Sequence, residues 1–130
     1  MKFNKKKGVL IFLLILLLAI LVYNYIYQEH RNISTELPVT TITAEKLFLN
    51  FKKDFSGSEN EYLDKTIIIN GSVSELNTYD LTLDNMVFCN FKDRIPSTIK
   101  INSNIEIKGR MLGYDELLEI IKIDQSIITK

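Results

Sequence analysis

The chain has 130 residues, a formal net charge of zero and a single cysteine, Cys89. This length leaves room for one small domain beside a membrane segment, and one cysteine excludes an intrachain disulfide. The zero charge conceals an asymmetry. Four lysines precede an apolar run, and the chain after that run contains 12 basic and 16 acidic residues. An acidic remainder argues against a general nucleic-acid-binding surface.

Residues 8–27 form the apolar run, and residues 9–22 within it comprise thirteen Leu, Ile, Val or Phe residues and one Ala. Twenty helical residues span about 30 Å, which is one bilayer hydrocarbon core. The basic stub, residues 1–7, predicts an N-terminus in the cytoplasm and the remainder outside. Representative residues of the predicted anchor are Leu10, Phe12, Leu16, Tyr23 and Tyr27, with the tyrosines at the interface.

The same run could instead be a signal peptide that is removed after export. Cleavage requires small residues after the apolar region, whereas residues 21–27 are bulky throughout, and no cysteine follows that could make this a lipoprotein signal. We expect an uncleaved, single-pass signal anchor in the inner membrane with an extracytoplasmic domain. The alternative, a cleaved signal, would release a secreted enzyme or inhibitor.

Residues 28–41 are polar, contain Pro38 and predict a linker, and residues 42–130 predict the domain. Thr43 can cap a helix whose apolar face continues to Phe55. Gly57 is expected to break this helix, and residues 58–65 to form a second helical turn. The face comprises Ala44, Leu47, Phe48 and Phe51.

From Thr66 onward the apolar period changes to two, which predicts strands. Two of them carry a central glycine, Gly71 or Gly109, typical of a bulge or a tight bend. Asp84-Asn85 predicts a hairpin turn and residues 92–103 an irregular loop. The five predicted strands, which we expect to close into a small sheet, are residues 67–74, 81–83, 86–91, 105–111 and 117–128.

The sequences of several of these segments resemble the tRNA-anti-like family of OB-fold proteins, short membrane-anchored or exported bacterial proteins of the Bacteroidetes type. The resemblance implies a mainly β fold, a five-stranded Greek-key barrel preceded by a helix, and no established activity. It also implies a second cysteine near the end of the last strand, where this chain has Ser126. The segments are Tyr62–Val73, Leu81–Asp84, Val87–Phe91, Ile107–Arg110 and Gly113–Asp115.

OB folds that bind single strands combine a positive groove with aromatic platforms. Phe88 and Phe91 have opposite parity, so one of them is expected to point into the barrel. Tyr114 lies in a predicted loop tip, where it could contact a ligand or cover the barrel end. The candidate ligand-binding residues are Lys92, Arg94, Lys100, Phe91 and Tyr114.

Catalytic constellations are not evident in the sequence. The single histidine, His30, lies in the predicted linker, and no glycine-rich phosphate loop, EF-hand or zinc spacing occurs. Cys89 has apolar neighbours and is expected to be buried. We therefore expect no enzyme activity, no cofactor and no metal.

These observations predict a non-catalytic binding or interaction module of the cell envelope, anchored in the lipid bilayer. Its expected partner is an envelope protein, an oligosaccharide or a peptide. The alternative is a protein that binds single-stranded nucleic acid.

Overall fold

The computed structural model describes residues 4–27 and 31–130. Lys2, His30 and the first three residues of the predicted linker lie outside the described residues. The chain divides into two compact units, Met1–Arg31 and Asn32–Lys130.

The first unit contains one helix, α1 (Lys5–Ile26), which begins three residues before the predicted apolar run. Asn4 precedes it, and Tyr27 ends it with a backbone N–H donated to the Tyr23 carbonyl. None of its residues is buried, and apolar side chains cover every side of it. By length and composition this helix could cross a membrane, a property that it shares with signal sequences.

The second unit starts earlier than the sequence pattern indicates. Ile33 is only 2% exposed, and the Thr66 hydroxyl donates to the Glu36 carboxylate at 2.6 Å. The short strand β1 (Thr41–Thr43) then pairs in parallel with residues 68–70. Residues 33–43 therefore lie against the domain, whereas the sequence predicted a linker as far as residue 41.

Two short helices follow β1. In α2 (Ala44–Lys53) the predicted cap is confirmed, because the Thr43 hydroxyl accepts from the Lys46 N–H. The predicted break at Gly57 is wrong. α2 ends at Lys53, and the carboxylate of the next residue, Asp54, accepts from the Gly57 N–H and so caps α3 (Phe55–Tyr62). A side chain that can satisfy the first N–H groups of a new helix sets the boundary here.

The remaining strands form a closed barrel, as predicted, with β1 as an additional strand at one edge. Their order is β1-β2-β3-β4-β6-β5, and pairing of β2 with β5 closes the sheet. β4 and β6 pair in parallel, and the other barrel pairs are antiparallel. The strands are β2 (Thr66–Leu76), β3 (Asp80–Leu83), β4 (Val87–Asn90), β5 (Asn104–Asp115) and β6 (Ile120–Ile128).

The barrel interior is filled by the inward positions of the alternating strands together with one face of α2. Most of these side chains are Ile, Leu or Val, whose branched shapes pack closely on a pleated surface. Because the alternation determines which side chains are inside, it also determines which face outward to solvent. The fully buried strand residues include Ile67, Ile69, Val73, Leu81, Leu83, Val87, Cys89, Ile107, Met111, Ile121 and Ile123.

The two mid-strand glycines have different roles. The register of β5 against β6 shifts between Lys108 and Arg110, so Gly109 lies at the predicted bulge. A Cβ at Gly109 would lie 2.3 Å from Cγ2 of Ile123. Gly71 lies in an unshifted stretch of β2, and a Cβ there would meet the Asp84 carboxylate at 2.8 Å. Close approach of neighbouring groups, rather than a bulge, therefore favours glycine at position 71.

The hairpin turn predicted at Asp84-Asn85 is present, with both residues at positive φ, as a tight hairpin requires. The last turn, which the sequence predicts between the strands 105–111 and 117–128, is displaced. β5 continues to Asp115, and the chain turns over residues 116–119 before β6 begins at Ile120. Asp115 determines this position, because its carboxylate accepts the N–H groups of Leu117 and Leu118.

Candidate ligand-binding site

The loop between β4 and β5, residues 91–103, carries the three predicted cations and is called the cationic loop below. Lys92, Arg94 and Lys100 are exposed, and none of them forms an ion pair with a residue in the described ranges. The loop is irregular, as predicted. Because its cations are unpaired within the described chain, their charge is available to a ligand.

Backbone hydrogen bonds fasten the cationic loop to the turn between β2 and β3. The Phe91 N–H donates to the Tyr79 carbonyl at 2.8 Å, and the Ile95 N–H donates to the Thr78 carbonyl at 2.9 Å. These two bonds hold the loop beside the end of β2. The cations adjacent to them, Lys92 and Arg94, therefore lie next to this turn.

An open cleft of about 820 Å³ lies between the cationic loop and the end of β2. Part of its lining is apolar and part consists of hydroxyl and amide groups, with one guanidinium at its edge. Such a lining suits a ligand that has both apolar and anionic groups. The lining residues are Leu76, Asn77, Thr78, Arg94, Ile95, Pro96, Ser97 and Ile99.

The two aromatic residues predicted for the site do not lie on this surface. Phe91 is only 7% exposed and belongs to the core, because it has the inward parity of Val87 and Cys89. Tyr114 is partly buried and stacks on Phe51, with ring centroids 5.7 Å apart. Stacking on a base or a sugar requires a free ring face, so neither residue offers a platform. The interpretation of Tyr114 as a cover of the barrel interior agrees with its ring contacts.

Two other aromatic residues are accessible instead. Tyr79, 52% exposed, lies in the β2–β3 turn and thus beside the cationic loop. Phe88 is half-buried on the outer face of β4, opposite Thr82 and Lys122 in the neighbouring strands. The inward parity of Cys89 would have identified Phe88 as the outward ring. No strand pattern singles out Tyr79, because its exposure depends on the turn.

A second, smaller groove of about 450 Å³ lies across β2 and β5 at the start of α2. Three carboxylates and one ammonium line it: Glu45, Asp84, Glu106 and Lys130. Two of the carboxylates are already engaged, since Asp84 accepts from the Ser72 N–H and Glu106 from the Thr129 hydroxyl. Among the residues that the structure describes, no group of three His, Cys, Asp or Glu side chains could hold a metal ion.

The buried Cys89 is confirmed as a packed strand residue. Burial raises the pKa of its thiol, and the Ser126 hydroxyl beside it offsets only part of that rise. Within the described chain the Ser126 hydroxyl oxygen has no hydrogen-bond partner. A buried, protonated thiol is a poor nucleophile, so Cys89 does not provide a reactive centre.

Four of the residues predicted for the anchor lie on α1, and the fifth, Tyr27, caps its C-terminus. Leu10, Phe12 and Leu16 are exposed on the helix surface. The rings of Tyr23 and Tyr27 lie 4.4 Å apart at its C-terminal end, as expected for residues four positions apart on a helix. The helix therefore presents an apolar surface with aromatic rings at one end.

The fold and the cleft place Asn32–Lys130 in a general class. A closed five-stranded barrel with this strand order, a helix packed against it and an open cleft beside its loops define an OB-fold module.

Comparison with known proteins identifies the family. The sequence model of the tRNA_anti-like family matches residues 1–122, and the chain belongs to that family. The match begins at residue 1 and so includes the apolar run, whereas the segments that carry the resemblance begin only at Tyr62. No curated protein matches the chain.

Among solved structures, the chain is similar to a Klebsiella pneumoniae lipoprotein named as a candidate nucleic acid-binding protein. The TM-score is 0.52 at 12% sequence identity, and the match covers 69% of this chain and 91% of the lipoprotein. At this identity the similarity concerns the fold.

Proposed function

We propose that this protein is a non-catalytic binding module of the cell envelope, anchored in the inner membrane by α1. One observation carries the proposal: an OB-fold module with an open, cation-edged cleft follows a helix that has no polar face. Such a helix has no stable place in water as an isolated surface element, whereas a bilayer matches its surface throughout. The anchor and the cleft together suit a protein that binds a ligand close to a membrane.

The proposed orientation has the N-terminus in the cytoplasm and the barrel outside. Three consecutive lysines, Lys5–Lys7, precede the apolar run, and no acidic residue accompanies them before it. Basic residues near the end of a transmembrane helix remain on the cytoplasmic side. The excess of acidic residues in the remainder of the chain is consistent with this orientation.

The proposed ligand is an acidic peptide segment or an acidic oligosaccharide of the envelope. Arg94 and Lys92 supply positive charge at the edge of the cleft, and Ile95 and Pro96 supply apolar surface inside it. Thr78 and Ser97 add hydroxyl groups that can donate to sugar or carboxylate oxygens. Catalysis is not part of the proposal, because the only thiol is buried and the only histidine precedes the barrel.

Cysteine labelling in intact cells tests the anchor and its orientation. Because Cys89 is buried, a cysteine-free background is made with Cys89→Ser, and Ser97→Cys then adds one exposed thiol in the cationic loop. We expect a membrane-impermeant maleimide added outside to label this variant. Lys7→Cys in the same background is the matched control and should be labelled only after the cells are lysed. Labelling in the reverse pattern, or release of the protein by alkaline carbonate, would contradict the proposal.

Binding of single-stranded nucleic acid is a second candidate, and one observation favours it. The exposed ring of Tyr79 lies beside the cations of the cationic loop, which is the combination that single-strand binding uses. Three cations would give a log–log salt slope of about −2 for single strands. The test is fluorescence anisotropy of a labelled oligonucleotide with the full chain in detergent micelles. Absence of binding at low salt, while an acidic peptide binds, would exclude this candidate.

A further inference from the structure

Most of the exposed apolar side chains of Asn32–Lys130 lie at one end of the barrel. Nine large apolar side chains are exposed in this range, and six of them belong to segments that meet at the start of β2, called the entry end below. Tyr79 and Ile101 belong to the opposite end, which carries the cleft. The six are Leu37, Val39, Leu63, Leu112, Leu117 and Leu118.

Backbone hydrogen bonds place these segments together at the entry end. The Val39 N–H donates to the Thr66 carbonyl, and the Asp64 N–H donates to the Met111 carbonyl. Arg110 is the partner of Thr66 in the antiparallel pair of β5 with β2. Residues of β5 beyond position 110 therefore extend past the first residue of β2, and the turn at residues 116–119 lies farther out still.

This turn holds two leucines in solvent. Leu117 is 96% exposed and Leu118 is 69% exposed. The Asp115 carboxylate accepts from both of their N–H groups, at 3.0 and 3.1 Å. Glu119 forms an ion pair with Lys52 of α2 at 2.6 Å, which fastens the other side of the turn. The leucines are thus presented outward by a turn that is held at both of its sides.

The segment before β1, which contributes Leu37 and Val39 to the entry end, is also the part of the second unit closest to α1 along the chain. Residue Tyr27 ends α1, and Ile33 is already buried in the second unit. Only residues 28–31 separate Tyr27 from Asn32, so this connection spans about 17 Å at most. The opposite end lies about 30 Å away along the 11 residues of β2.

We propose that the entry end rests on the outer surface of the lipid bilayer, with Leu117 and Leu118 inserted among the headgroups and upper acyl chains. This inference rests on the proposed membrane anchor. Its lipid source is the bilayer that holds α1, which a connection of four residues keeps within reach. Exposed apolar side chains on a structured turn enter an interface of this kind to a depth of about 5–10 Å.

The charges around the two leucines specify the kind of lipid contact. Glu116 and Glu119 flank them, and acidic residues do not favour an anionic membrane. The contact is therefore apolar, and it requires neither anionic lipid nor low salt. It leaves the cleft on the side of the barrel away from the membrane, where a ligand can reach it.

The absence of tryptophan from the chain allows a direct test with the full protein reconstituted in phosphatidylcholine vesicles. Leu118→Trp reports on the turn, Tyr79→Trp is the matched control at the cleft end, and Leu13→Trp reports on α1. Each variant is measured in ordinary vesicles and in vesicles whose acyl chains are brominated, since bromine quenches nearby tryptophan. We expect bromination to reduce the Leu118→Trp emission at least about twofold, consistent with the expected insertion depth. The Tyr79→Trp emission should be unchanged.

The Leu13→Trp variant separates the two proposals. Quenching at Leu13→Trp without quenching at Leu118→Trp would overturn the docking inference and leave the anchor intact. No quenching at Leu13→Trp would overturn the anchor itself. Blue-shifted Leu118→Trp emission without quenching would show that a second copy of the chain covers the turn, which also overturns lipid docking. Equal quenching in phosphatidylcholine vesicles with and without anionic lipid would support the apolar contact.

Discussion

The two ends of the barrel expose different chemistry although the same strands connect them. The entry end presents leucines on the β5–β6 turn and on the segment before β1. The cleft end presents Lys92, Arg94 and the ring of Tyr79 around an open cleft. The exposed residues that distinguish the two ends lie mainly in the turns and in the segment before β1. If the proposed ligand site and the proposed lipid contact are correct, loops carry both functions while the strands serve as a rigid spacer between them.

The largest expected effect comes from a change in the middle of the barrel, which should disrupt both ends together. Gly109→Ala places a Cβ 2.3 Å from Cγ2 of Ile123 in the neighbouring strand, and the backbone must move. We expect the free energy of unfolding to fall by about 2–3 kcal/mol. Urea unfolding of the full chain in detergent measures it. Gly8→Ala is the control, because nothing lies within 4 Å of a Cβ at that position. A comparable loss in Gly8→Ala would show that the close contact with Ile123 is not the cause of the loss in Gly109→Ala.

A smaller effect is expected from an ion pair near the entry end. The Arg110 guanidinium makes two hydrogen bonds to the Asp124 carboxylate, at 2.8 and 2.5 Å, and both side chains are less than one-third exposed. Hydrogen bonding to Asp124 also raises the pKa of Arg110. Asp124→Asn should lower the free energy of unfolding by about 1–2 kcal/mol in the same urea assay. Asp93→Asn in the cationic loop should leave the free energy of unfolding unchanged. Equal losses in the two variants would show that the ion pair of Arg110 with Asp124 adds no stability specific to the entry end.

Acid should loosen the turn of the entry end only below the pH at which an ordinary aspartate becomes protonated. The backbone N–H of Leu118, with those of Leu117 and the Lys122 ammonium, lowers the pKa of Asp115 below its ordinary value of 3.8. A lowered folded-state pKa contributes stability that is present above 3.8 and is lost as pH falls through the folded value. The Leu117 and Leu118 amide resonances should therefore titrate with a midpoint below 3.8. A midpoint at or above 3.8, or the same titration in Asp115→Asn, would contradict this contact.

The smallest effect on stability is expected at the cleft end, where the effect on binding should be clear. Arg94 is exposed and unpaired among the described residues, so Arg94→Ala should change the free energy of unfolding by less than about 0.5 kcal/mol. The affinity of the Arg94→Ala variant for an acidic peptide should nevertheless fall about fivefold, which is the equivalent of one surface charge contact. Isothermal titration calorimetry measures this change. Lys53→Ala on α2 is the matched control, and an equal loss there would indicate nonspecific attraction.

The alternation of apolar residues predicted most of the fold, because each strand has one face in a closed interior. Ile67, Ile69 and Val73 share one parity of the predicted first strand, and all three are buried in the structure. The expected burial of Cys89, which was based on its apolar neighbours, is confirmed. The hairpin turn at Asp84-Asn85 was predictable since both residues tolerate positive φ. Strand β1 was not predicted. Three residues are too few for a period, and its pairing depends on the edge of β2 that β3 leaves open.

The candidate site was predictable only in part. The cations of the cationic loop follow from its polar, irregular sequence, but the aromatic partner does not. The opposite parity of Phe88 and Phe91 predicts that one of them points into the barrel, and the buried one is Phe91, which shares the parity of Cys89. Tyr79 comes beside the cations through backbone hydrogen bonds between two turns. Contacts of this kind join residues far apart in sequence and leave no pattern in either segment.

The parallel pairing of β1 with β2 has a mechanical consequence. Both strands run from the entry end toward the cleft end, so a pull on the chain at Asn32 against a ligand held in the cleft acts along their common axis. The hydrogen bonds between β1 and β2, together with those of Val39 and Ile68, are then loaded in shear and must break together rather than one after another. The barrel thus has a reinforced attachment at the point where tension would enter it.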